Sequence, residues 1–246
     1  MKDVQSQRDD RQIDIHKVGV KDIFYPITVL DKANKLQRTV ARVNMYVNLP
    51  HQFKGTHMSR FVEILNHFHG NINLQSFYLI LHEIKNRLNA ESAHIEIDFP
   101  YFPKKNSALA RTVNISEYRC HMHGSLGQKD DLRLGIEVPI PSPLLAPVVD
   151  GLPRSLGRWG MAQVNIRFRH FIWIEDLIQL VEEVTSYNLS SPQEECLAPE
   201  KSLSVEMLTK AIAEKLATHQ DIAWFSVEVE NLFPDYSTYA AIEWPE

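Results

Sequence analysis

The order of predicted strands and helices occurs twice along this chain, and that repetition constrains the fold more than any single motif. In each half, a pair of amphipathic helices lies between segments that alternate apolar and polar residues. The strands are predicted over 37–49, 93–101, 115–123, 132–140, 162–168, 224–230 and 239–243, and the helices over 56–68, 75–88, 172–185 and 204–217. The pattern predicts an α+β chain of two tandem modules, 1–125 and 126–246, each an antiparallel sheet carrying a helix pair.

The first predicted helix follows a strand that ends at Pro50. Apolar residues in THMSRFVEILNHF recur at helical spacing, so one face of this segment is expected to enter the core. Thr56 precedes that run and is the predicted N-cap, because its hydroxyl can accept a hydrogen bond from a free backbone N–H.

Composition excludes several classes of protein. The formal net charge of −5 and the pI near 6.1 argue against a general nucleic-acid or membrane-surface binder. No apolar run is long enough to span a bilayer, and the charged amino-terminal segment predicts no secretory signal. Only Cys120 and Cys196 are present, far apart, so a reducing, cytoplasmic location without a disulfide framework is expected.

Long stretches of this sequence resemble one enzyme family, the type IB GTP cyclohydrolases. The resemblance is most specific in the first half and extends over nearly the whole chain. The segments that carry it are SQRDDRQIDIHKVGVKDIFYPI (6–27), TVARVNMYVNLPHQFKGTHMSRFVEILN (39–66), AESAHIEIDFPYFPKK (90–105), LRLGIEVPIP (132–141), FIWIEDLIQLVE (171–182), WFSVEVEN (224–231) and YAAIE (239–243).

The resemblance implies a tunnelling fold, in which two tandem modules assemble with other copies into an oligomeric β-barrel. A homo-oligomer, a dimer or a tetramer, is therefore expected, with active sites between subunits. The family converts GTP and water to 7,8-dihydroneopterin triphosphate and formate, the entry step to folate. It uses zinc or manganese to activate the attacking water, and a thiolate, an imidazole and a carboxylate position that metal.

This chain departs from the family pattern where those metal ligands are expected. Leu144 and Ala146 take the positions of two cysteines, and Leu156 or Arg158 stands opposite the family's histidine. A later His-Asn-His-Ser run is replaced by 234–237, which reads Pro-Asp-Tyr-Ser. Leucine, alanine and proline side chains cannot coordinate a cation. We therefore predict that the inherited metal site is lost and that no metal cofactor is used.

The residues that would bind the substrate are better retained. Glu206 matches a family glutamate that accepts hydrogen bonds from the guanine edge, a task that suits a carboxylate. Lys54, His57 and Arg60 lie at the predicted start of the first helix, where cations and free N–H groups can receive a phosphate. Each also has an ordinary interpretation, as a solvated helical glutamate, surface charges, or a helix-capping histidine.

Three further residues are weaker candidates for a metal site. Glu194 lies near the position of the family's carboxylate ligand. His121 and His123 would share one face of a strand, with Cys120 and Met122 on the other face. Because a metal site needs several converging donors and no third one is identifiable, the two histidines remain candidates only.

Three functional hypotheses follow. The chain is a GTP cyclohydrolase that works through ligands not apparent from the alignment, or a diverged enzyme that keeps a purine- or pterin-binding pocket and uses metal-independent acid–base chemistry. Alternatively, it is a non-catalytic homologue that acts as a binding or regulatory subunit. We favour the diverged enzyme, with a small purine- or pterin-like molecule as its partner.

Overall fold

The computed structural model describes residues 15–49, 57–68, 70–104, 117–141, 158–190 and 204–245. Within these ranges the chain forms eight strands and four helices. The strands are β1 Ile15–Asp31, β2 Lys35–Leu49, β3 Ser92–Tyr101, β4 Tyr118–Leu126, β5 Asp131–Pro141, β6 Arg158–Phe168, β7 Ile222–Leu232 and β8 Ser237–Trp244. The helices are α1 Met58–His67, α2 Leu74–Arg87, α3 Ile174–Ser190 and α4 Val205–Ala217. The order strand–strand–helix–helix–strand–strand therefore occurs twice, with each helix pair between strands as the sequence predicts.

The chain divides into two compact units, Met1–Leu134 and Gly135–Glu246, and the division falls within β5. In the first unit, β1, β2, β3 and β4 are antiparallel neighbours in chain order. The core lies on one side of this sheet, because alternate residues of β3 are fully buried while those between them are half-buried. We call the opposite side the polar face; it carries Asn44, Tyr46, His94, Glu96 and His123.

Helix α2 supplies much of the core of the first unit. Phe77, Leu81 and Ile84 are spaced along one stripe of the helix and are fully buried. Gly124 of β4 allows this close approach, because a Cβ atom at that position would overlap the Phe77 ring. The predicted apolar stripe is thus confirmed as the packing face of the helix.

Strand β1 is the element that sequence patterning missed. Two register shifts interrupt its pairing with β2, one between Ile15 and Val18 and one between Val20 and Ile23. At the second shift Asp22 has a φ of 56° and donates its backbone N–H to Asn44 Oδ1 at 2.9 Å. Each extra residue reverses the alternation of faces, so no period of two runs through the segment.

The predicted start of α1 needs a correction. The helix begins at Met58, and the N-cap position is His57, whose backbone is extended and whose side chain makes no capping hydrogen bond. The predicted cap, Thr56, lies outside the described residues. The cap therefore falls one residue later than predicted, because helical backbone geometry begins only after His57.

In the second unit, β6, β7 and β8 are antiparallel neighbours, and α4 packs against β7 and β8. The Thr209 hydroxyl of α4 donates a hydrogen bond of 3.2 Å to the carbonyl oxygen of Ala240 in β8. β8 is the last strand in the sheet order, and its residues are exposed or half-buried throughout. None of the described helices is long and apolar enough to cross a membrane.

Candidate functional site

Glu96 organises a hydrogen-bonded network on the polar face of the first unit. Asn44 Nδ2 donates to Glu96 Oε2 at 3.0 Å, and the Tyr46 hydroxyl donates to Glu96 Oε1 at 3.1 Å. Burial raises the pKa of Glu96, but these two hydrogen bonds and the nearby charges of Lys17 and His123 outweigh it and lower the pKa. Glu96 is therefore ionised at neutral pH, with each oxygen bound to a neutral donor.

The Tyr46 ring contacts one aromatic side chain and one charged side chain. Its ring stacks on His94, with centroids 4.7 Å apart and planes 9° apart, and the Lys17 ammonium lies 3.6 Å from the Tyr46 ring centroid. Burial, reinforced by the adjacent Glu96 carboxylate, raises the pKa of the Tyr46 hydroxyl to about 12. The hydroxyl consequently stays protonated and acts as a hydrogen-bond donor.

His94 is a neutral imidazole at physiological pH. Burial lowers its pKa, and the positive charges of His123 and Lys17 lower it further, against the opposing effect of Glu96. The Oγ atom of Ser92 lies 3.1 Å from His94 Nε2, within hydrogen-bond distance. The His94 ring is therefore packed against Tyr46 and lies within hydrogen-bond distance of Ser92.

His123 lies on β4 directly opposite Glu96. Burial lowers its pKa, and Arg133 and Lys17 add to that effect against the carboxylates of Glu96 and Asp131. Arg133 Nε itself donates to Asp131 Oδ2 at 2.6 Å. Among the described residues, no hydrogen bond to the His123 ring is present.

The predicted division of faces along β4 is confirmed. Cys120 and Met122 are buried in the core, and His121 and His123 lie half-buried on the polar face, where His121 faces Asp98. Within the described ranges, no group of three or more histidine, cysteine or acidic side chains is arranged to hold a metal ion. The third candidate, Glu194, lies outside the described residues.

Two of the three residues predicted to bind a phosphate, His57 and Arg60, lie at the start of α1. The backbone N–H of Arg60 donates to the carbonyl oxygen of His57 at 3.1 Å, so these two residues share the first turn. Arg60 Nη1 also donates to the carbonyl oxygen of Arg87 at 3.2 Å, which ties α1 to the end of α2. Arg60 thus has a structural contact in addition to the role expected for it. Lys54 lies outside the described residues.

Glu206 lies in the first turn of α4, in the second unit, and is exposed. Hydrogen bonding to its own backbone N–H and to the Ser204 side chain lowers the pKa of Glu206, with a further contribution from Lys210. Thr209, one turn along the helix, is bonded to β8, so Glu206 belongs to the part of α4 that borders this last strand. An ionised carboxylate is therefore presented to solvent near the edge of the sheet.

The positions at which the sequence predicts replaced metal ligands lie mostly outside the described residues. Leu144, Ala146 and Leu156 lie outside the described residues, and Arg158 is the first residue of β6. The 234–237 segment connects β7 to β8, closed by a hydrogen bond of 3.0 Å from the Phe233 N–H to the Tyr236 carbonyl oxygen. Apolar side chains and a guanidinium cannot ligate a cation.

The fold of this chain is similar to that of solved uricases. The uricase from Arthrobacter globiformis aligns with 92% of this chain and 91% of its own, at a TM-score of 0.52 and 12% identity. A hyperthermostable mutant of the Bacillus sp. TB-90 urate oxidase aligns with 94% of this chain and 100% of its own, at a TM-score of 0.57 and 8% identity. The predicted α+β tunnelling fold is thereby confirmed.

Sequence comparisons then identify the family. The family model described as type I GTP cyclohydrolase folE2 matches residues 1–232. The GTP cyclohydrolase FolE2 of Syntrophotalea carbinolica is 44% identical over 256 residues, covering 100% of this chain and 96% of that protein. The GTP cyclohydrolase FolE2 of Syntrophobacter fumaroxidans is 45% identical over 254 residues, covering 99% of each. This chain therefore belongs to the type I GTP cyclohydrolase folE2 family, as the resemblance implied.

Sequence reasoning missed the network around Glu96. Part of the network was predictable, because successive side chains of a strand point to opposite faces. This alternation places Asn44 and Tyr46 on one face of β2, and His94 and Glu96 on one face of β3. The register between β2 and β3, which sets Tyr46 opposite His94, and the register shift that precedes Val18 in β1 were not readable from the sequence.

Proposed function

We propose that this chain is a GTP cyclohydrolase-like protein that binds a purine- or pterin-type heterocycle through Glu206. The observation that carries the proposal is the exposed, ionised Glu206 carboxylate in the first turn of α4. Two carboxylate oxygens can accept two parallel N–H groups from a guanine-like edge. Membership of the family supports this assignment.

Other parts of the ligand are assigned to the first unit. Lys54, His57 and Arg60 are proposed to receive its phosphates at the start of α1, where free backbone N–H groups and the helix dipole favour an anion. The shared first turn of His57 and Arg60 supports this part of the proposal. A homo-oligomer and a cytoplasmic location complete it, and the low cysteine content, with only Cys120 and Cys196 in the sequence, is consistent with a reducing compartment.

The proposal includes loss of the inherited metal site. Its support is the chemistry of Leu144, Ala146 and Pro234, which have no ligating atoms where the family pattern supplies thiolate or imidazole. Reaction at the heterocycle would then depend on proton transfer by protein side chains rather than on a metal-bound water. The same replacements favour the second candidate, a non-catalytic binding or regulatory subunit, because the family reaction needs an activated water.

One set of measurements separates these possibilities. Purified protein is analysed for bound metal and assayed with GTP, alone and with manganese or zinc, for a fluorescent pterin after oxidation. We expect no bound zinc or manganese and no metal-dependent product, together with a rise in melting temperature on adding GTP or a pterin. Pterin formation that requires an added metal would contradict the lost site.

The role of Glu206 needs its own matched control. Glu206→Gln removes the charge and one acceptor oxygen, and Glu214→Gln makes the same change at an exposed position of the same helix. We expect the first variant to lose the ligand-induced stabilisation and the second to keep it. Equal stabilisation of both variants would overturn the assignment of the heterocycle to Glu206. Turnover without added metal would favour the diverged enzyme, and binding without turnover would favour the regulatory subunit.

A further inference from the structure

A cavity of about 520 Å³ opens on the surface of the first unit. Its walls come from the β1–β2 hairpin and from the connection between α1 and α2, and the lining residues are Thr28, Leu36, Arg38, Phe68 and Asn71. The volume lies within the range of pockets that bind small molecules. None of these residues belongs to the groups assigned above to the heterocycle or to its phosphates, so the cavity is a separate candidate site.

Backbone hydrogen bonds fix the walls of this cavity. The Thr28 N–H donates to the carbonyl oxygen of Gly70 at 2.8 Å, and the Ile72 N–H donates to the carbonyl oxygen of Thr28 at 2.9 Å. The connection therefore lies along the outer edge of β1, with Asn71 beside Thr28. Gly70 allows this close approach, because it has a φ of 67° and a Cβ atom there would overlap the carbonyl oxygen of Pro26. The walls are thus preorganised, which lowers the cost of binding a ligand.

Arg38 brings a positive charge to the cavity. It lies directly opposite Thr28 in the β1–β2 register and is exposed. No hydrogen bond or ion pair joins its guanidinium to another described residue, and the Asn71 carboxamide makes no hydrogen bond within the described ranges. Two side chains whose N–H donors are not used by the described part of the chain therefore border the same cavity.

The charge of Arg38 is not offset at the cavity. Among the described residues, none of the acidic side chains lines it. Asp31 is the nearest carboxylate along β1, and it is buried and accepts hydrogen bonds from the Asn34 N–H and from Gln37 Nε2. Strand alternation places Asp31 with the buried Val29, on the opposite side of the sheet from Arg38.

Leu36 and Phe68 give the cavity apolar walls. Leu36 is 55% exposed and shares one face of β2 with Arg38, and Phe68 directly follows the last residue of α1. Covering an exposed leucine with an apolar group removes its surface from water, which is favourable. The Phe68 ring offers a face or an edge to an aromatic group. The cavity thus places one cation beside an apolar surface.

The supply of N–H donors favours a carboxylate over a phosphate. A phosphate is usually bound by several cations or by free backbone N–H groups. Here the backbone N–H groups of Thr28, Asn71 and Ile72 are all used in backbone hydrogen bonds, and Arg38 is the one cation among the described lining residues. A single guanidinium matches a carboxylate, because it can donate two parallel hydrogen bonds to the two oxygens.

We propose that this cavity binds a small carboxylate that carries an aromatic body. Arg38 pairs with the carboxylate, Asn71 donates a further hydrogen bond, and Leu36 and Phe68 cover the aromatic body. The site shares no residue with the pocket assigned to Glu206 or with the start of α1. It therefore holds or fails independently of the proposed GTP cyclohydrolase-like function.

Ligand-observed NMR of the full chain tests the class of ligand with three small molecules. Phenylacetate has both the charge and the ring, phenylacetamide keeps the ring without the charge, and acetate keeps the charge without the ring. At matched ionic strength and neutral pH, we expect saturable binding of phenylacetate at about 1 mM or tighter, and binding weaker by about tenfold or more for the other two. Absence of saturable phenylacetate binding, or equal binding of the acid and the amide, would overturn the proposal.

Two arginine variants locate the charge. Arg38→Gln removes the proposed partner, and Arg119→Gln makes the same change at an exposed position of β4 that does not line the cavity. We expect Arg38→Gln to weaken phenylacetate by about tenfold or more and to lose the preference for the acid over the amide, while Arg119→Gln keeps both parent values. The ratio of the two affinities does not depend on the folded fraction, so it stays informative if Arg38→Gln is less stable. Equal ratios in the two variants would refute the site.

A second pair of variants locates the aromatic body. Leu36→Ala removes part of the apolar wall, and Val40→Ala shortens another exposed side chain on the same face of β2, outside the cavity lining. We expect Leu36→Ala to weaken phenylacetate and phenylacetamide by a similar factor, about threefold or more, and Val40→Ala to leave both unchanged. Unchanged binding of both molecules to Leu36→Ala would show that the ring lies elsewhere and would reject the assignment to this cavity.

Discussion

The Tyr46 hydroxyl donates a hydrogen bond of 3.1 Å to Glu96 Oε1 across the β2–β3 pair, and this bond links the aromatic stack to the carboxylate. Tyr46 lies directly opposite His94, and Glu96 lies two residues further along the same strand. A single bond thus couples the ionisation of Glu96 to the position of the ring on which His94 stacks.

Replacing Tyr46 with phenylalanine keeps the ring and removes the donor. We expect Tyr46→Phe to lower the free energy of unfolding at pH 7 by about 1 kcal/mol and to raise the pKa of Glu96 toward its ordinary value. Chemical denaturation measures the first effect, and a carbon NMR titration of the Glu96 carboxyl measures the second. Tyr239→Phe, on the exposed strand β8, serves as the control and should be nearly neutral.

The sign of the pH dependence follows from the depressed pKa of Glu96. A carboxyl whose pKa is lower in the folded than in the unfolded state stabilises the fold above the unfolded-state value of 4.5, and this stabilisation is lost as the pH falls through the folded-state pKa. Tyr46→Phe should therefore lose less stability than the parent protein over that acidic range. An unchanged pKa of Glu96 in the variant would contradict the coupling.

His94 and His123 predict a second pH dependence, nearer neutrality. Both folded-state pKa values lie below the ordinary 6.5. At a pH between the folded-state pKa of a histidine and 6.5, the unfolded chain therefore binds more protons than the folded chain. The stabilisation that comes from keeping both histidines neutral is thus fully present above pH 6.5. The free energy of unfolding decreases as the pH falls below that value. The double variant His94→Gln, His123→Gln should flatten this decrease in urea denaturation series at stepped pH.

The control for that experiment is His82→Gln, which changes an exposed histidine on α2. It should reproduce the pH dependence of the parent protein. A double variant whose stability falls as steeply as that of the control between neutral and mildly acidic pH would show that other groups cause the dependence.

Much of the fold was predictable because its elements are regular. The α2 stripe and the alternation in β3 reflect periods that depend only on local geometry. β1 was not predictable, since its two register shifts reverse the faces of successive residues. Its pairing is held by partners far along the chain, such as Asn44 for Asp22.

The candidate site was likewise predictable from the sequence only in part. Glu206 was proposed from the family resemblance, and the structure adds its exposure and the hydrogen bonds that lower its pKa. The network around Glu96 joins Lys17, Tyr46 and His123 from three different strands. Such convergence depends on strand register, which a single sequence does not encode in any local pattern.

Gly124 of β4 allows α2 to pack closely against the sheet because it has no side chain. A Cβ atom there would overlap the ring of Phe77, so Gly124→Ala must displace α2 or strain the ring. We expect a loss of about 1–3 kcal/mol in the free energy of unfolding, measured by urea denaturation. Ser125→Ala, the next residue on the opposite face, should change it by less than about 0.5 kcal/mol. Equal effects at the two positions would refute the packing argument.

The last prediction concerns the proposed homo-oligomer and rests on β8. This strand is the final one in the sheet order, and its Tyr239 is 69% exposed and Trp244 40% exposed. An exposed apolar strand at a sheet edge is a ready template for pairing with another chain, and added charge opposes such pairing. We therefore expect the parent protein to be an oligomer by light scattering, and Tyr239→Lys with Ala241→Lys to lower its mass toward that of one chain.

Glu214→Lys provides the matched control for that variant, because it changes the net charge by the same amount at an exposed position of α4. It should leave the mass unchanged. If the β8 double variant and the control have the same mass as the parent protein, β8 is not part of the assembly interface. Tyr239 and Trp244 would then be ordinary solvent-exposed side chains of the sheet edge.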